Sequence, residues 1–150
     1  FGEIVFGEIQ ENQIGKMVRR EWQSIPQRFL SVELDEFVVM PNHLHGIICI
    51  QDTVQQNLTS PIQHEAFGHP TQRSIPTIIR SFKAAVTLRA RRILGEPQTR
   101  IWQRNYYEKV IRNESGLQAA RLYIHENPNN WAVDQENDDL KADIDTGTAG

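Results

Sequence analysis

The chain has 150 residues, 39% of them apolar and 23% charged, which fits one globular domain with a sizeable core. No apolar run approaches the roughly 20 residues of a membrane span, and the lone cysteine, Cys49, excludes an internal disulfide and favours a reducing, cytoplasmic location. The formal net charge of −3 argues weakly against a nucleic-acid-binding protein, unless the charges are unevenly distributed.

The chain begins with a predicted hairpin that is followed by a helix. Residues 3–10 are predicted to form two short strands that turn at Gly7. Asn12 is a suitable N-cap for a helix that runs to about Arg28, because apolar residues recur there at helical spacing. Pro26 lacks a backbone N–H, so we expect it to disturb or end that helix.

Two strands follow, and we expect them to pair as antiparallel neighbours. Residues 31–39 alternate between apolar and polar side chains, which predicts a strand with one buried face. Pro41-Asn42 interrupts the chain, and residues 43–50 continue as a second strand that is rich in branched apolar side chains. Residues 51–74 contain few apolar side chains, which predicts a mobile loop within the domain.

The second half contains two predicted helices, separated by an aromatic and basic stretch, residues 99–112, that we expect to be partly extended. The first helix spans about 75–94 and ends at Gly95. Its predicted apolar stripe consists of Ile79, Phe82, Val86 and Ile93. The second helix runs from about Glu114 to Glu126, and Asn127-Pro128 is expected to stop it. The element order predicts an α+β domain, an antiparallel sheet with helices on one face.

Charge is unevenly distributed along the chain. Residues 73–104 contain eight basic residues and one acid, whereas residues 131–150 contain six acids and one base. We therefore predict an acidic, disordered tail over 132–150. Its negative charges offset the positive charges of the basic segment over 73–104, so the net charge does not reveal that segment. A polar, mainly cationic stripe follows one face of the helix over 75–94, and it consists of Arg80, Lys83, Thr87 and Arg91. On charge alone, a partner-binding surface and a solvated helix face explain the basic segment over 73–104 equally well.

The sharpest local motif is the run Pro41-Asn42-His43-Leu44-His45-Gly46. Residues i and i+2 of a strand point to the same side, so His43 and His45 present two imidazoles together. Two neutral imidazoles side by side can bind a divalent metal, although a His-x-His pair by itself is a weak signal. Gly46 leaves space for a substrate backbone to come close.

A second motif lies on the last predicted helix. Tyr123 and Asn127 are four residues apart and therefore share a helix face. A tyrosine hydroxyl acts as a nucleophile where its surroundings favour the phenolate, and an Asn side-chain oxygen can be a metal ligand. From the spacing alone, a half-buried packing tyrosine and an Asn at the C-cap are the more frequent explanations.

Three segments together resemble the HUH single-tyrosine transposases, a family named for two histidines that flank a bulky apolar residue. Residues 38–48 are similar to the metal-binding strand of that family. Residues 101–108, 111–114 and 123–128 are similar to the C-terminal signature of its REP-associated branch. The segments occur in the family's order and at compatible distances, and the resemblance covers about residues 1–131 with a variable stretch over 51–74.

The resemblance implies a ferredoxin-like fold and a catalytic domain over 1–131 that binds hairpins in single-stranded DNA. Such a domain cleaves and rejoins strands beside the hairpin through a 5′-phosphotyrosine link. The resemblance makes His43 and His45 metal ligands, Tyr123 the nucleophile and Asn127 the polar residue that completes the metal site. Mg²⁺ or Mn²⁺ is the expected metal, and Zn²⁺ also suits imidazole ligands. Tyr106 ranks below Tyr123 as a nucleophile, because relatives tolerate Phe at that position.

Single-stranded hairpin DNA is therefore the expected partner. Phosphate contacts are predicted for four cations, Arg80, Lys83, Arg91 and Arg104. Stacking on unpaired bases is predicted for three aromatic residues, Trp102, Tyr106 and Tyr107, with core packing an equally good explanation of Trp102. The family includes dimers that share active sites and monomers that do not, so a homodimer is one of two expected assemblies.

The chain differs from the family pattern at two places. Lys109 stands where many relatives have a His after the Glu of the Tyr-Tyr-Glu stretch, and the family's first strand would precede Phe1. One alternative function is a catalytically inactive, domesticated hairpin-DNA-binding module with the same basic helix and aromatic residues. A metal-dependent hydrolase of small molecules is a further alternative, and it would require a closed pocket in place of an open basic groove.

Overall fold

The computed structural model of the protein describes residues 1–51, 74–103 and 106–134. The elements within these ranges are β1 (Gly2–Val5), β2 (Glu8–Glu11), α1 (Gln13–Gln23), α2 (Ile25–Arg28), β3 (Val32–Val39), β4 (Leu44–Ile50), α3 (Ile75–Leu94), α4 (Glu114–Asn130) and a 3-10 helix (Trp131–Val133). The described strands form two separate two-stranded sheets, β1–β2 and β3–β4. The predicted α+β class is therefore confirmed, and the ferredoxin-like arrangement with helices on one face stays a prediction.

The predicted hairpin at the start of the chain is confirmed. β1 and β2 pair antiparallel, and Val5 opposite Glu8 is the last pair before the turn. The two turn residues, Phe6 and Gly7, have φ angles of 53° and 80°. Two positive φ values in a two-residue turn are the pattern of a type I′ turn, whose twist matches that of the paired strands.

The helix that begins after Asn12 ends earlier than its apolar pattern predicts. Asn12 caps it as expected, since its Oδ1 accepts a hydrogen bond of 3.0 Å from the Gly15 backbone N–H. α1 stops at Gln23, and the four-residue α2 follows with Pro26 in its first turn. Pro26 has no N–H to donate to the residue four positions earlier, so a continuous helix to Arg28 would lose a bond.

β3 and β4 form the predicted antiparallel pair. The Met40 N–H donates to the His43 carbonyl at 2.9 Å, and the Gln51 N–H donates to the Ser31 carbonyl at 2.8 Å. These bonds lie at the two ends of the pair and fix its register. The short connection places His43 directly before β4 and His45 within it.

α3 has the predicted bounds, but its buried stripe is different. Ser74 caps the helix, Pro76 lies in its first turn, and Gly95 ends it with a φ of 69°. The buried residues are Ile78, Phe82, Val86 and Ala90, spaced four apart. Ile79 is only partly buried and Ile93 is 40% exposed, so the predicted stripe was wrong at these two positions. Ala90 is buried because it continues the row of residues at every fourth position that begins at Ile78. Its small side chain did not indicate this burial.

α4 begins as predicted but continues past the predicted stop. Asn113 caps it by accepting a hydrogen bond of 2.8 Å from the Gly116 N–H. The helix then runs through Pro128 to Asn130. A proline in the last turn removes a single backbone bond and has a helical φ, so it does not force the chain out of the helix there.

Two further predictions concern irregular segments. The described residues of the 99–112 stretch contain no strand, so its extended part is not paired in a sheet. The 3-10 helix includes residues 132 and 133, which were predicted to begin the acidic tail. Residues 135–150 and nearly all of the predicted loop over 51–74 lie outside the described residues.

The chain divides into two compact units. The described residues of the first unit are 1–16, 36–47 and 109–134, and its buried apolar side chains are Val38, Val39, Met40, Ile47 and Ile124. The described residues of the second unit are 17–35, 48–51, 74–103 and 106–108, and its buried apolar side chains are Met17, Val18, Trp22, Ile25, Val32, Ile78, Phe82, Val86 and Ala90. Among the described residues, no helix combines the length and the apolar surface that crossing a bilayer requires.

Candidate active site

The two histidines of the motif come together in the first unit. His43 Nε2 and His45 Nε2 are 2.9 Å apart, and the ring centroids are 4.5 Å apart with the ring planes at 79°. Strand alternation explains the pairing, because Leu44 points to the opposite side. The two nitrogens therefore lie within hydrogen-bond distance of each other beside β4.

A neighbouring amide fixes the orientation of the first imidazole. His43 Nδ1 lies 2.7 Å from Asn42 Oδ1, an acceptor, so Nδ1 carries the proton and Nε2 keeps its lone pair. Metal-binding histidines are commonly held in this way by a hydrogen bond from the other ring nitrogen. Burial lowers the pKa of His43 below its ordinary value, and the Asp134 carboxylate opposes this with a smaller effect. The net result favours the neutral imidazole, the form that binds a metal.

One face of α4 and the 3-10 helix lies against the histidine pair. Tyr123 contacts His45 with a centroid separation of 5.2 Å and ring planes at 77°. Trp131 contacts His43 with a centroid separation of 5.9 Å and ring planes at 41°. Asn127 is four residues from each of them, so helical periodicity places it on the same face between the two contacts.

The Asn127 side chain is buried and its oxygen has no hydrogen-bond partner among the described residues. The residue is 3% exposed, and Oδ1 accepts no hydrogen bond. Leaving a buried acceptor unsatisfied costs about 1–3 kcal/mol, so a water molecule or a ligand is expected at this atom. The predicted alternative, that Asn127 is a helix C-cap, is wrong because α4 continues to Asn130.

The spacing of the two imidazole nitrogens is compatible with two ligands of one divalent metal ion. Two cis ligands at about 2.1 Å from an octahedral ion are roughly 3.0 Å apart, and the two Nε2 atoms are separated by 2.9 Å. No group of three His, Cys, Asp or Glu side chains in the described part of the chain is arranged to hold a metal. The amide oxygen of Asn127, on the same helical face as Tyr123, is the candidate for a third ligand.

The phenol of Tyr123 is accessible from solvent. Its side chain is 55% exposed although its ring contacts His45. This partial exposure is compatible both with a half-buried packing tyrosine and with a side chain that a group in solution can reach.

The second unit contains an open groove along α3. Its volume is about 730 Å³, and its lining combines three cations, Arg80, Lys83 and Arg91, with the ring of Tyr106 and an apolar floor of Ile79, Ala84 and Leu88. Four of the residues predicted to contact DNA are therefore brought together in one surface. Ile79, which the sequence assigned to the core, contributes to this groove instead.

Trp102 packs against α3. Its Nε1 donates to the Lys83 carbonyl at 3.1 Å, and its ring centroid is 5.4 Å from that of Phe82. Lys83 Nζ donates to the Gln103 carbonyl at 3.2 Å, and partial burial lowers the pKa of Lys83. These contacts favour the packing explanation of Trp102 over base stacking.

The other residues that the sequence singled out are Tyr107, Lys109 and Arg104. Tyr107 is 89% exposed, Lys109 is exposed, and Arg104 lies outside the described residues. Sequence reasoning missed Trp131 and Asp134, which both act on His43. The available signal was the spacing of eight residues from Tyr123 to Trp131, two steps of four along a helical face, but the predicted helix stop at Asn127-Pro128 concealed it.

A bacterial protein is similar to most of this chain. It comes from Haemophilus influenzae, is described as an uncharacterized protein, and is 43% identical over 138 residues, which cover 90% of this chain and 76% of that protein. No protein-family model and no solved structure matches the chain. The identity and coverage show that the chain belongs to the same family as this Haemophilus influenzae protein.

Proposed function

We propose that this protein is a metal-dependent, single-tyrosine endonuclease of the transposase type, which cuts and rejoins single-stranded DNA beside a hairpin. The observation that supports the proposal most is the 5.2 Å ring contact between Tyr123 and His45 within one chain. This contact supports the proposal because it brings a partly exposed phenol next to a pair of imidazoles. A site formed this way needs no residue from a second copy.

The chemistry follows from the residues around the site. The Tyr123 hydroxyl loses its proton and attacks the phosphorus of a DNA phosphate, so an O–P bond forms while the P–O3′ bond breaks. The departing 3′-oxygen takes up a proton, and the 5′ end stays attached to Tyr123. A divalent ion such as Mg²⁺ or Mn²⁺, held by His43, His45 and Asn127, would stabilise the negative charge on the phosphate. The link conserves the energy of the phosphodiester, so rejoining needs no ATP.

The groove on α3 supports binding of unpaired DNA. Arg80, Lys83 and Arg91 supply positive charge, while Tyr106 and the apolar floor offer surfaces against which bases can stack. A fully paired duplex presents phosphates but no open base faces, so it would use only the charges. The lone thiol of Cys49 supports a cytoplasmic location for this activity.

The proposal predicts a covalent adduct on one tyrosine. The protein is incubated with Mn²⁺ and hairpin oligonucleotides that carry randomised single-stranded flanks, and the products are separated in SDS. Tyr123→Phe should abolish the adduct because it removes the attacking oxygen. Tyr106→Phe, the matched control, should retain it. An adduct that survives Tyr123→Phe and disappears with Tyr106→Phe would reject the assignment.

The metal assignment predicts an uncommon combination of effects for Asn127→Leu. Removing a buried acceptor that has no partner should leave the free energy of unfolding unchanged or raise it. Excess Mn²⁺ should stabilise the unaltered protein, by about 2.7 kcal/mol at 100 times the Kd, and should stabilise the variant much less.

Thermal unfolding with and without Mn²⁺ measures both effects, and Asn130→Leu, at an exposed position of the same helix, is the control. Equal stabilisation of Asn127→Leu and Asn130→Leu by Mn²⁺ would exclude Asn127 as a ligand.

The double variant His43→Ala, His45→Ala should lose cleavage while it keeps most of its hairpin binding.

A hairpin-binding module without catalysis is the second candidate. The groove in the second unit favours it, because that surface requires neither a metal nor Tyr123. This candidate predicts tight hairpin binding, no adduct with any oligonucleotide and no response to Mn²⁺. The adduct experiment therefore separates the two functions directly.

A further inference from the structure

Four aromatic rings form a continuous row in the first unit. The row runs Trp131, His43, His45, Tyr123, with successive centroid separations of 5.9, 4.5 and 5.2 Å. The phenol and the indole lie at its two ends, on one helical face and with the imidazole pair between them. The proposed function assigns roles to Tyr123, His45 and His43, and it assigns no role to Trp131.

The backbone of Trp131 is held by hydrogen bonds, and the residue is not fully enclosed. Its backbone N–H donates to the Pro128 carbonyl, and its own carbonyl accepts from the Asp134 N–H at 3.1 Å. The residue is of intermediate exposure, so part of the indole contacts His43 and part remains open. A partly open indole that contacts another ring is well suited to stacking on an unpaired base.

The direction of the reaction shows which base this would be. In phosphoryl transfer the attacking and leaving oxygens are roughly in line, on opposite sides of the phosphorus. With the scissile phosphate beside the imidazole pair, as in the proposed function, attack by Tyr123 from the His45 end directs the leaving 3′-oxygen toward the His43 end. The nucleotide that carries this oxygen is then the nearest to Trp131.

We propose that Trp131 stacks on the base of the nucleotide directly 5′ of the scissile phosphate and so helps to select the cleavage position. This inference rests on the proposed function, because it requires Tyr123 to be the attacking group. Stacking on this base would hold the departing 3′-hydroxyl in place for the reverse, rejoining reaction. A purine, with the larger stacking surface, should be favoured at this position.

The contact is tested by combining a substitution in the protein with the removal of one base from the DNA. The cleavage position is first mapped on the hairpin oligonucleotides, and a second substrate then lacks only the base directly 5′ of that position. For the unaltered protein, adduct formation should slow roughly 10-fold on the abasic substrate, as expected for the loss of one stacked base. Trp131→Ala should be slowed by a similar factor on the intact substrate and show little further loss on the abasic one.

Trp131→Phe retains an aromatic ring and should recover most of the rate and of the sensitivity to the missing base. A purely structural role of Trp131 would slow both substrates equally in Trp131→Ala and leave the abasic penalty unchanged. That result would overturn the proposal. Equal rates of the unaltered protein on the two substrates would overturn it as well.

Tryptophan fluorescence gives a readout that needs no metal and no catalysis. In the Tyr123→Phe background with EDTA, binding of the same oligonucleotide should quench fluorescence, and Trp131→Phe should remove a large share of the quench. An unchanged quench would reject the stacking contact. If no adduct forms with unaltered protein but the Trp131-dependent quench is present, the proposed function fails while the base contact stands.

Discussion

At the scale of single residues, the turn between β1 and β2 places a large apolar side chain in solvent, where it buries no apolar surface. Phe6 is fully exposed and has a φ of 53°. A left-handed backbone costs a residue with a Cβ about 1–2 kcal/mol, and the ring has no burial to offset this. Asn-Gly is the preferred pair for this type of turn, because Asn tolerates a positive φ better than Phe.

We therefore predict that Phe6→Asn raises the free energy of unfolding by about 1 kcal/mol, measured by urea denaturation. Gly7→Ala is the matched control and should destabilise the protein. Its φ of 80° disfavours a side chain, and the added Cβ would collide with Asn129 Oδ1. A loss of stability in Phe6→Asn would mean that the ring contributes to the fold despite its exposure.

At the scale of secondary-structure elements, a buried carboxylate joins three helices of the second unit. Glu21 on α1 is 3% exposed. Its side chain forms an ion pair with Arg89 on α3 and lies 3.9 Å from the guanidinium of Arg28 on α2. Arg28 also donates to the Glu21 backbone carbonyl at 3.2 Å. The carboxylate is thus held by one partner from the next helix and one from a helix 68 residues away in the chain.

Glu21→Ala should lower the free energy of unfolding by about 3–5 kcal/mol, the usual cost of removing one partner from a buried ion pair. Arg89 is 59% exposed and can regain water, which favours the lower end of that range. Glu33→Ala, at an exposed position of β3, should change stability by less than about 0.5 kcal/mol. Similar effects of the two substitutions in chemical denaturation would show that the Glu21 network adds no stability.

At the scale of the whole molecule, a net charge of −3 coexists with a local cationic surface. The groove on α3 is lined by Arg80, Lys83 and Arg91, whereas residues 131–150 contain six acids. Neighbouring Arg92 does not line the groove although it lies on the same helix. Affinity for DNA should therefore depend on where a positive charge lies and not on the total charge.

The salt dependence of DNA binding tests whether affinity depends on the position of the positive charges. Each phosphate contact on single-stranded DNA contributes about 0.7 to the slope of log K against log salt concentration. The double variant Arg80→Ala, Arg91→Ala should reduce that slope by about 1.4 for an unpaired oligonucleotide. The control Arg92→Ala should change it far less. Equal changes per charge removed in the two variants would show that binding follows net charge and not the groove.

The sequence by itself determined most of the local structure. Alternation of apolar residues located β3, and a run of branched apolar residues located β4. Asn12 placed the start of α1, and Gly95 placed the end of α3. These features depend on neighbours within a few residues, so the sequence shows them directly. Strand alternation also brought His43 and His45 together, because their spacing alone puts both imidazoles on one side.

Only the tertiary structure decided which groups meet. The row of α3 that is buried, the continuation of α4 past Pro128 and the approach of Tyr123 to His45 depend on contacts between segments far apart in the chain. Tyr123 and Asn127 share a face by periodicity, but periodicity does not indicate what that face contacts. Trp131 joins the site because α4 continues, and a single proline in the last turn costs too little to prevent it.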